Sequence, residues 1–399
     1  MDKDEREVNQ APETAGAPGE QKAAGKKKGF VKRLGALLLI LAVVLTVAVL
    51  STMEDGRHFA ALRRWLMYGE SGATEDMYVY SADPNNRFGQ MKEGLLVVTP
   101  KSIRLHRDDG TTLYDLPIAL DAPALSVGRE QAVVCGVGSG TLYRLDGAGL
   151  LETLTLDHER CFYTARLNER DWLAVTEEKS GYKTAVSVYD DGGELVFSFD
   201  SHESYISDAL VTDDCRYLVA VSLQPEGGVF GSRLLVFDLE KAERISDAPI
   251  RDGLVLDLAV TNGRVAALCD KRLTLSTLEG EPLLDHAYGS LYLHDYALTG
   301  GDFCALLLGR YQAGNICTLT TFDLEGQTIA TLEVTEEVLD MSANGKYLAV
   351  LYSDSLVIYT RDLQEHARLE GTDYASQVHL GEDGVALVIG GTTAWRFLP

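Results

Sequence analysis

Cysteine is scarce: six of 399 residues, none in a CxxC pair and none at a Cys/His spacing that matches a zinc site. That excludes a structural zinc module. Cys135, Cys269 and Cys304 fall in or beside short apolar runs of different repeats, so most of the six read as buried thiols. Cys304 and Cys317 fall on adjacent strands of one repeat, where a disulfide would need them to face each other. Positive charge is the minority. Lys+Arg number 36 against 60 Asp+Glu, for a formal net charge of −24. Residues 1–69 hold 11 basic and 8 acidic side chains, so the rest holds 25 and 52, a net −27. Nucleic-acid affinity rests on phosphate neutralisation, so such a domain is not a nucleic-acid binder. Its field favours cationic peptides, metal ions or basic proteins, although solubility alone also accounts for it. Long apolar runs are also missing, with a single exception near the N-terminus.

What is abundant is a repeat. From about residue 87 onward, strand-forming segments recur, and several open on an aspartate between apolar residues. These are Asp208 in Ile206–Leu210, Asp257 in Val255–Ala259, Asp295 in Leu293–Ala297 and Asp340 in Val338–Met341. The steps between them are 49, 38 and 45 residues. A period of roughly 40 to 50 residues with only strand-like content indicates a β-propeller, one blade per repeat. Each copy continues with a continuous apolar run such as Tyr217–Ser222 or Tyr347–Tyr352, suited to a strand buried on both faces. Turns rich in Asp and Gly follow, as at Asp190-Asp191-Gly192-Gly193 and Asp323-Leu324-Glu325-Gly326. Repeats begin near Arg87, Ala124, Phe162, Tyr205, Leu254, Leu293, Val338 and Ser376, predicting eight blades. Seven is the alternative, because Arg87–Lys92 is a poor strand. The last repeat ends after its third strand at Trp395–Pro399, so Met77–Ser81 is expected to pair there and close the ring.

The exceptional apolar run is 34–53, 20 residues without a charge and long enough to span a bilayer as a helix. Lys22, Lys26, Lys27, Lys28, Lys32 and Arg33 precede it, which predicts a cytoplasmic tail over 1–33 and a propeller outside the membrane. The run is longer than a signal-peptide core, and Ala48–Ser51 is a poor cleavage site, which favours an uncleaved anchor. The tail is Ala-, Gly-, Glu- and Lys-rich and reads as disordered. Its basic cluster suits topology and anionic-lipid contact. Residues 54–75 read as a stalk and 76–399 as an extracytoplasmic propeller.

Two constellations are candidates for chemistry. Asp208, Asp257, Asp295 and Asp340 share one register on first strands, which line a propeller's channel, so they are expected either to tie neighbouring blades or to hold a cation. Thr164 and Gln377 interrupt the series. The second set lies in segments entering first strands: His158, Glu159, His202, Glu203, His286 and Asp373. No spacing among them is specific for catalysis or metal binding. Gly136–Gly140 has the glycine content of a phosphate loop but is followed by a strand-like run, so a hairpin is expected there.

With these residues in view, the chain resembles a family of bacterial membrane-anchored β-propellers of unknown function found in Gram-positive anaerobes. The resemblance rests on the basic tail and anchor, and on repeat segments such as Asn344–Val350. It is also broadly similar to WD40-type and quinoprotein-type propellers, with departures. No Trp-Asp dipeptide or Gly-His pair marks the repeats, and three tryptophans (Trp65, Trp172, Trp395) cannot supply a quinoprotein docking pattern. No cofactor is expected. The expected function is a non-catalytic binding scaffold for an envelope protein, a peptide or a cell-wall component. The competing expectation is an extracytoplasmic hydrolase or lyase acting on a glycan, with two channel carboxylates about 5 to 9 Å apart.

Overall fold

The computed structural model describes residues 72–73, 78–157, 160–226, 228–250 and 253–399. Residues 1–33, 34–53 and nearly all of 54–75, expected from the sequence to be a tail, a membrane span and a stalk, lie outside the described residues, as do His158 and Glu159. No helix among the described residues is long and apolar enough to cross a membrane.

The described chain is all-β, eight sheets in a ring, each antiparallel and four-stranded or nearly so. In the first seven blades the strands follow one another from inside to outside, as in Val255–Thr261, Arg264–Cys269, Arg272–Thr277 and Pro282–Ala287 of blade 5. First strands begin at Arg87, Pro123, Phe162, Tyr205, Val255, Tyr292, Val338 and Ala375, so eight blades form and the seven-blade alternative falls. The doubtful segment is a strand, Arg87–Met91, paired with Gly94–Val98. It reads poorly because of Gly89, where a Cβ would meet Val127 Cγ2 at 2.5 Å. Close approach to blade 2, not strand propensity, selects that residue.

The second strands explain the core. In Tyr347–Tyr352 all six residues are buried. Leu348 and Val350 pack toward blade 6, while Ala349 and Leu351 pack toward blade 8. The same alternation recurs around the ring, and each junction between neighbouring blades holds its own apolar cluster. Period-2 geometry lets one continuous apolar strand serve two cores.

The N-terminal segment closes the ring. Tyr78–Val79 pairs with Ala394 and Thr393 of the last strand, and Gly72–Ala73 pairs with Leu398 and Phe397. Closure therefore begins at Gly72, inside the segment expected to be stalk. Tyr78 is fully buried in the cluster between blades 8 and 1. The Tyr80 hydroxyl donates to the carbonyl oxygens of Gly390 and Thr393 at 2.8 and 2.9 Å.

The blade topology defines two faces. Starts of first strands and the turns from second to third strands lie on one. Turns from first to second and from third to outer strands lie on the other. The latter carry the hairpin aspartates: Asp190 accepts the Gly192 and Glu194 N–H groups, and Asp323 those of Glu325 and Gln327. This is the acidic face. Since Gly72 pairs with the end of the last third strand and Val79 with its start, the chain enters the propeller at the acidic face.

The cysteines are free. Cys304 pairs with Phe322 and Cys317 with Gly309, so the two thiols sit at opposite ends of one ladder. Gly136–Gly140 is a hairpin turn, with the Ser139 N–H bonded to the Gly136 carbonyl.

Candidate functional site

The four aspartates are positioned by a shared device. In each of their strands a β-bulge puts one extra residue just before the aspartate: Val255 faces Cys269, Asp257 faces Leu268, and Leu256 is left over. Bulges recur at Asp208, Asp295 and Asp340, and also at Thr164 and Gln377, where the residue type differs but the geometry persists. A bulge redirects side chains. Below it the carboxylate turns back onto the backbone. Asp208, Asp257 and Asp295 accept the next residue's N–H at 2.8 to 2.9 Å.

Beyond that shared bond the ring splits into two halves. On one side Arg166, from the first strand of blade 3, donates Nη1 to Asp208 at 2.7 Å and to Asp257 at 3.3 Å. Its Nη2 donates to the Leu258 carbonyl at 2.8 Å. One guanidinium thus spans blades 3, 4 and 5. Burial alone would lower the Arg166 pKa, but the two carboxylates outweigh it and hold it above the ordinary value. Burial raises the Asp208 carboxyl despite the arginine. The Tyr296 hydroxyl adds a hydrogen bond to Asp257.

On the other side the partners are backbone groups. Asp295 accepts the N–H of Met341, and Asp340 accepts that of Val378 at 2.7 Å, each from the following blade. Burial pushes Asp295 up to about 7; the Tyr296 N–H opposes the rise and the charge of Asp340 adds to it. Burial pushes Asp340 up to about 6. At the acidic-face end of the first strands, side chains also reach the next blade's carbonyls: Asn168 to Thr212, Asn262 to Gly301, Thr299 to Ala343 and Asn344 to Leu380.

Among the described residues, the members of the second set are not brought together. His202 and Glu203 sit at the junction of blades 3 and 4; the His202 ring packs on Tyr182, with centroids 4.0 Å apart, and the Glu203 carbonyl accepts from Lys183. Asp373 is exposed at the junction of blades 7 and 8. His286 is not in a loop. It lies in the outer strand Pro282–Ala287, with its ring 5.0 Å from that of Phe322, and burial lowers its pKa. The polar run Asp285-His286 belongs to the alternation of an outer strand, which reads like a loop when one face is solvated.

The sequence reading missed two features. The first is Arg166, which lies two residues past Thr164 where the aspartate series seemed only to lapse. The second is an apolar face. Of the sixteen large hydrophobics exposed among the described residues, eleven lie on the face opposite the acidic one. Tyr205, Leu254, Leu256, Tyr292, Leu339 and Tyr374 stand at first-strand starts, and Val137, Phe230, Tyr311 and Ile316 lie in or beside turns from second to third strands. Leu256 and Leu339 are bulge residues, 60% and 40% exposed. A third bulge residue, His294, bonds the Tyr311 carbonyl at 2.8 Å. A signal was present: Val255 and Leu258, like Val338 and Met341, are inward positions three apart, whereas a regular strand requires an even spacing.

An open groove of about 660 Å³ lies on the acidic face between blades 1 and 2, lined by mixed charges that include Lys92, Glu93, Arg107 and Glu130. No group of three or more His, Cys, Asp or Glu among the described residues is arranged to hold a metal ion.

Residues 73–383 match the family described as Family of unknown function (DUF5711). The chain belongs to this family. The fold of this DUF5711 propeller is similar to that of the computationally designed Ika8 protein (13% identity, 82% of this chain and 100% of that one, TM-score 0.61). It is similar also to the C-terminal WD40 domain of Sif2 (14%, 82% and 99%, TM-score 0.60) and to BamB from Moraxella catarrhalis (12%, 82% and 98%, TM-score 0.50). At such identities the likeness concerns fold alone. No curated protein matches the DUF5711 chain in sequence.

Proposed function

We propose that this chain is a non-catalytic scaffold, anchored in the cell membrane through residues 34–53, with its tail in the cytoplasm and its propeller outside. The propeller docks a protein or peptide of the cell envelope on its apolar face. The observation that carries the reading is the one-sided distribution of exposed apolar side chains. Single exposed hydrophobics are ordinary, but their concentration on one face marks an interaction surface. The position of Gly72 supports it, because it pairs with Leu398 at the acidic-face end of the last strand, away from the apolar face. The channel supports it too. The carboxylates that Arg166 brings together, Asp208 and Asp257, have that guanidinium between them, where a glycosidase would place its substrate.

The test is photo-crosslinking in intact cells, with a benzophenone amino acid placed at Tyr292 or Tyr374, or at Leu195 or Asp191 toward the other face. Discrete adducts from the first pair alone are expected. Adducts from the second pair alone, or none from either, would end the reading.

A further inference from the structure

The apolar face is not chemically uniform. Over blades 6 to 8 it combines Leu291, Tyr292, Tyr311, Ile316, Leu339 and Tyr374, the last 87% exposed. Between them stand the exposed carboxylates of Glu336, Glu337, Asp354 and Asp373. The one basic side chain in the corresponding loops is Arg310. Elsewhere on the face, bases stand against acids in ion pairs, Arg160 with Glu177 at 3.0 Å and Lys179 with Asp200 at 2.7 Å. The sector over blades 6 to 8 therefore has unmatched negative charge among aromatic and aliphatic groups.

The channel below has the same bias. In blades 4 and 5 the ring carboxylates already hold a cation, Arg166. In blades 6 and 7, Asp295 and Asp340 have backbone donors, and burial without a counter-charge is what raises them.

Resting on the docking reading above, we propose that this sector binds a protein segment presenting arginine or lysine among apolar side chains. Tyrosine rings give such a segment apolar area and a face for a cation, and the surrounding carboxylates supply charge complementarity. A segment bearing acidic side chains would meet like charge and be rejected.

The test uses the full chain in nanodiscs of zwitterionic lipid, with empty nanodiscs as control. The probe is a fluorescein-labelled peptide alternating Leu and Arg. Its counterparts carry Glu for Arg, or Ser for Leu. Only the Leu/Arg peptide is expected to bind. Leu339→Ser with Tyr374→Ser should weaken it about tenfold, the scale of losing apolar anchors. Glu336→Gln, Glu337→Gln and Asp373→Asn together should weaken it and flatten its salt dependence. Asp190→Asn with Asp191→Asn, on the acidic face, should leave it unchanged. All these side chains are exposed except that of Asp190, which is half-buried in its turn, and unaltered melting certifies each variant.

Equal binding of the Glu peptide overturns the proposal, as does undiminished binding by either sector variant or equal loss in the acidic-face variant. A dimer seen in sedimentation and dissolved by the Tyr374 variant assigns the sector to a second copy of the chain and also overturns it. Failure here with crosslinking at Tyr374 intact leaves the scaffold reading standing; loss of both removes both.

Discussion

Arg166 concentrates the electrostatics of the channel in one side chain. Asp208 and Asp257 are partly buried, at 17% and 31% exposure, so their pairing is worth more than a surface ion pair and less than a fully buried one. Arg166→Met should cost roughly 2 kcal/mol by denaturant titration, since it strands two carboxylates. Adding Asp208→Asn and Asp257→Asn to that variant should recover stability. A triple variant no better than Arg166→Met alone would show that the arginine acts through packing. Asp295 gives a pH signature. Its folded pKa, about 7, lies above the ordinary carboxylate value of 3.8, so the folded state holds the proton more tightly. The resulting stabilisation is complete below the ordinary carboxylate range and is lost as pH rises through about 7. Asp295→Asn should flatten the decline in melting temperature over that window, which calorimetry at several pH values will read directly.

Among the elements, the closing strand matters most. It supplies an edge that the last blade lacks, and it buries Tyr78 between blades 8 and 1. Deletion of residues 1–70 should leave the melting temperature of the propeller nearly unchanged. Deletion of 1–82 should lower it substantially, since losing one large buried aromatic side chain already costs about 3 to 5 kcal/mol. Equal melting of the two truncations would contradict that role. The bulged first strands show how an element shapes a face: the extra residue at Leu256, His294 or Leu339 is turned toward the apolar face while the next residue stays in the ring. This was only half legible in sequence. The aspartates were visible as a repeat, but the slipped alternation that signals the bulge is a two-residue cue within each strand.

At the scale of the whole molecule, the ring separates an apolar face from an acidic one. The acidity of the chain thus has a local origin in turn aspartates that accept backbone N–H groups, as Asp190 and Asp323 do. A reporter fused after Pro399 should be accessible to protease in intact, wall-stripped cells, following from the basic cluster before 34–53. Protection of that reporter would reverse the orientation.

The sequence by itself determined the repeat, the doubly buried second strands and the closing of the ring from the N-terminus, and it pointed to eight blades while leaving seven open. Each is a matter of period or of edge pairing, and period is a local property of the chain. Tertiary structure alone decided that Arg166 joins Asp208 to Asp257 across three blades, and that Asp295 and Asp340 are left with backbone partners. It alone placed His286 in an outer strand and gathered Tyr292, Leu339 and Tyr374 on one face. Those facts depend on which blade stands beside which and on how a bulge turns a side chain. Residues separated by 91 positions, as Arg166 and Asp257 are, meet only when the ring has formed.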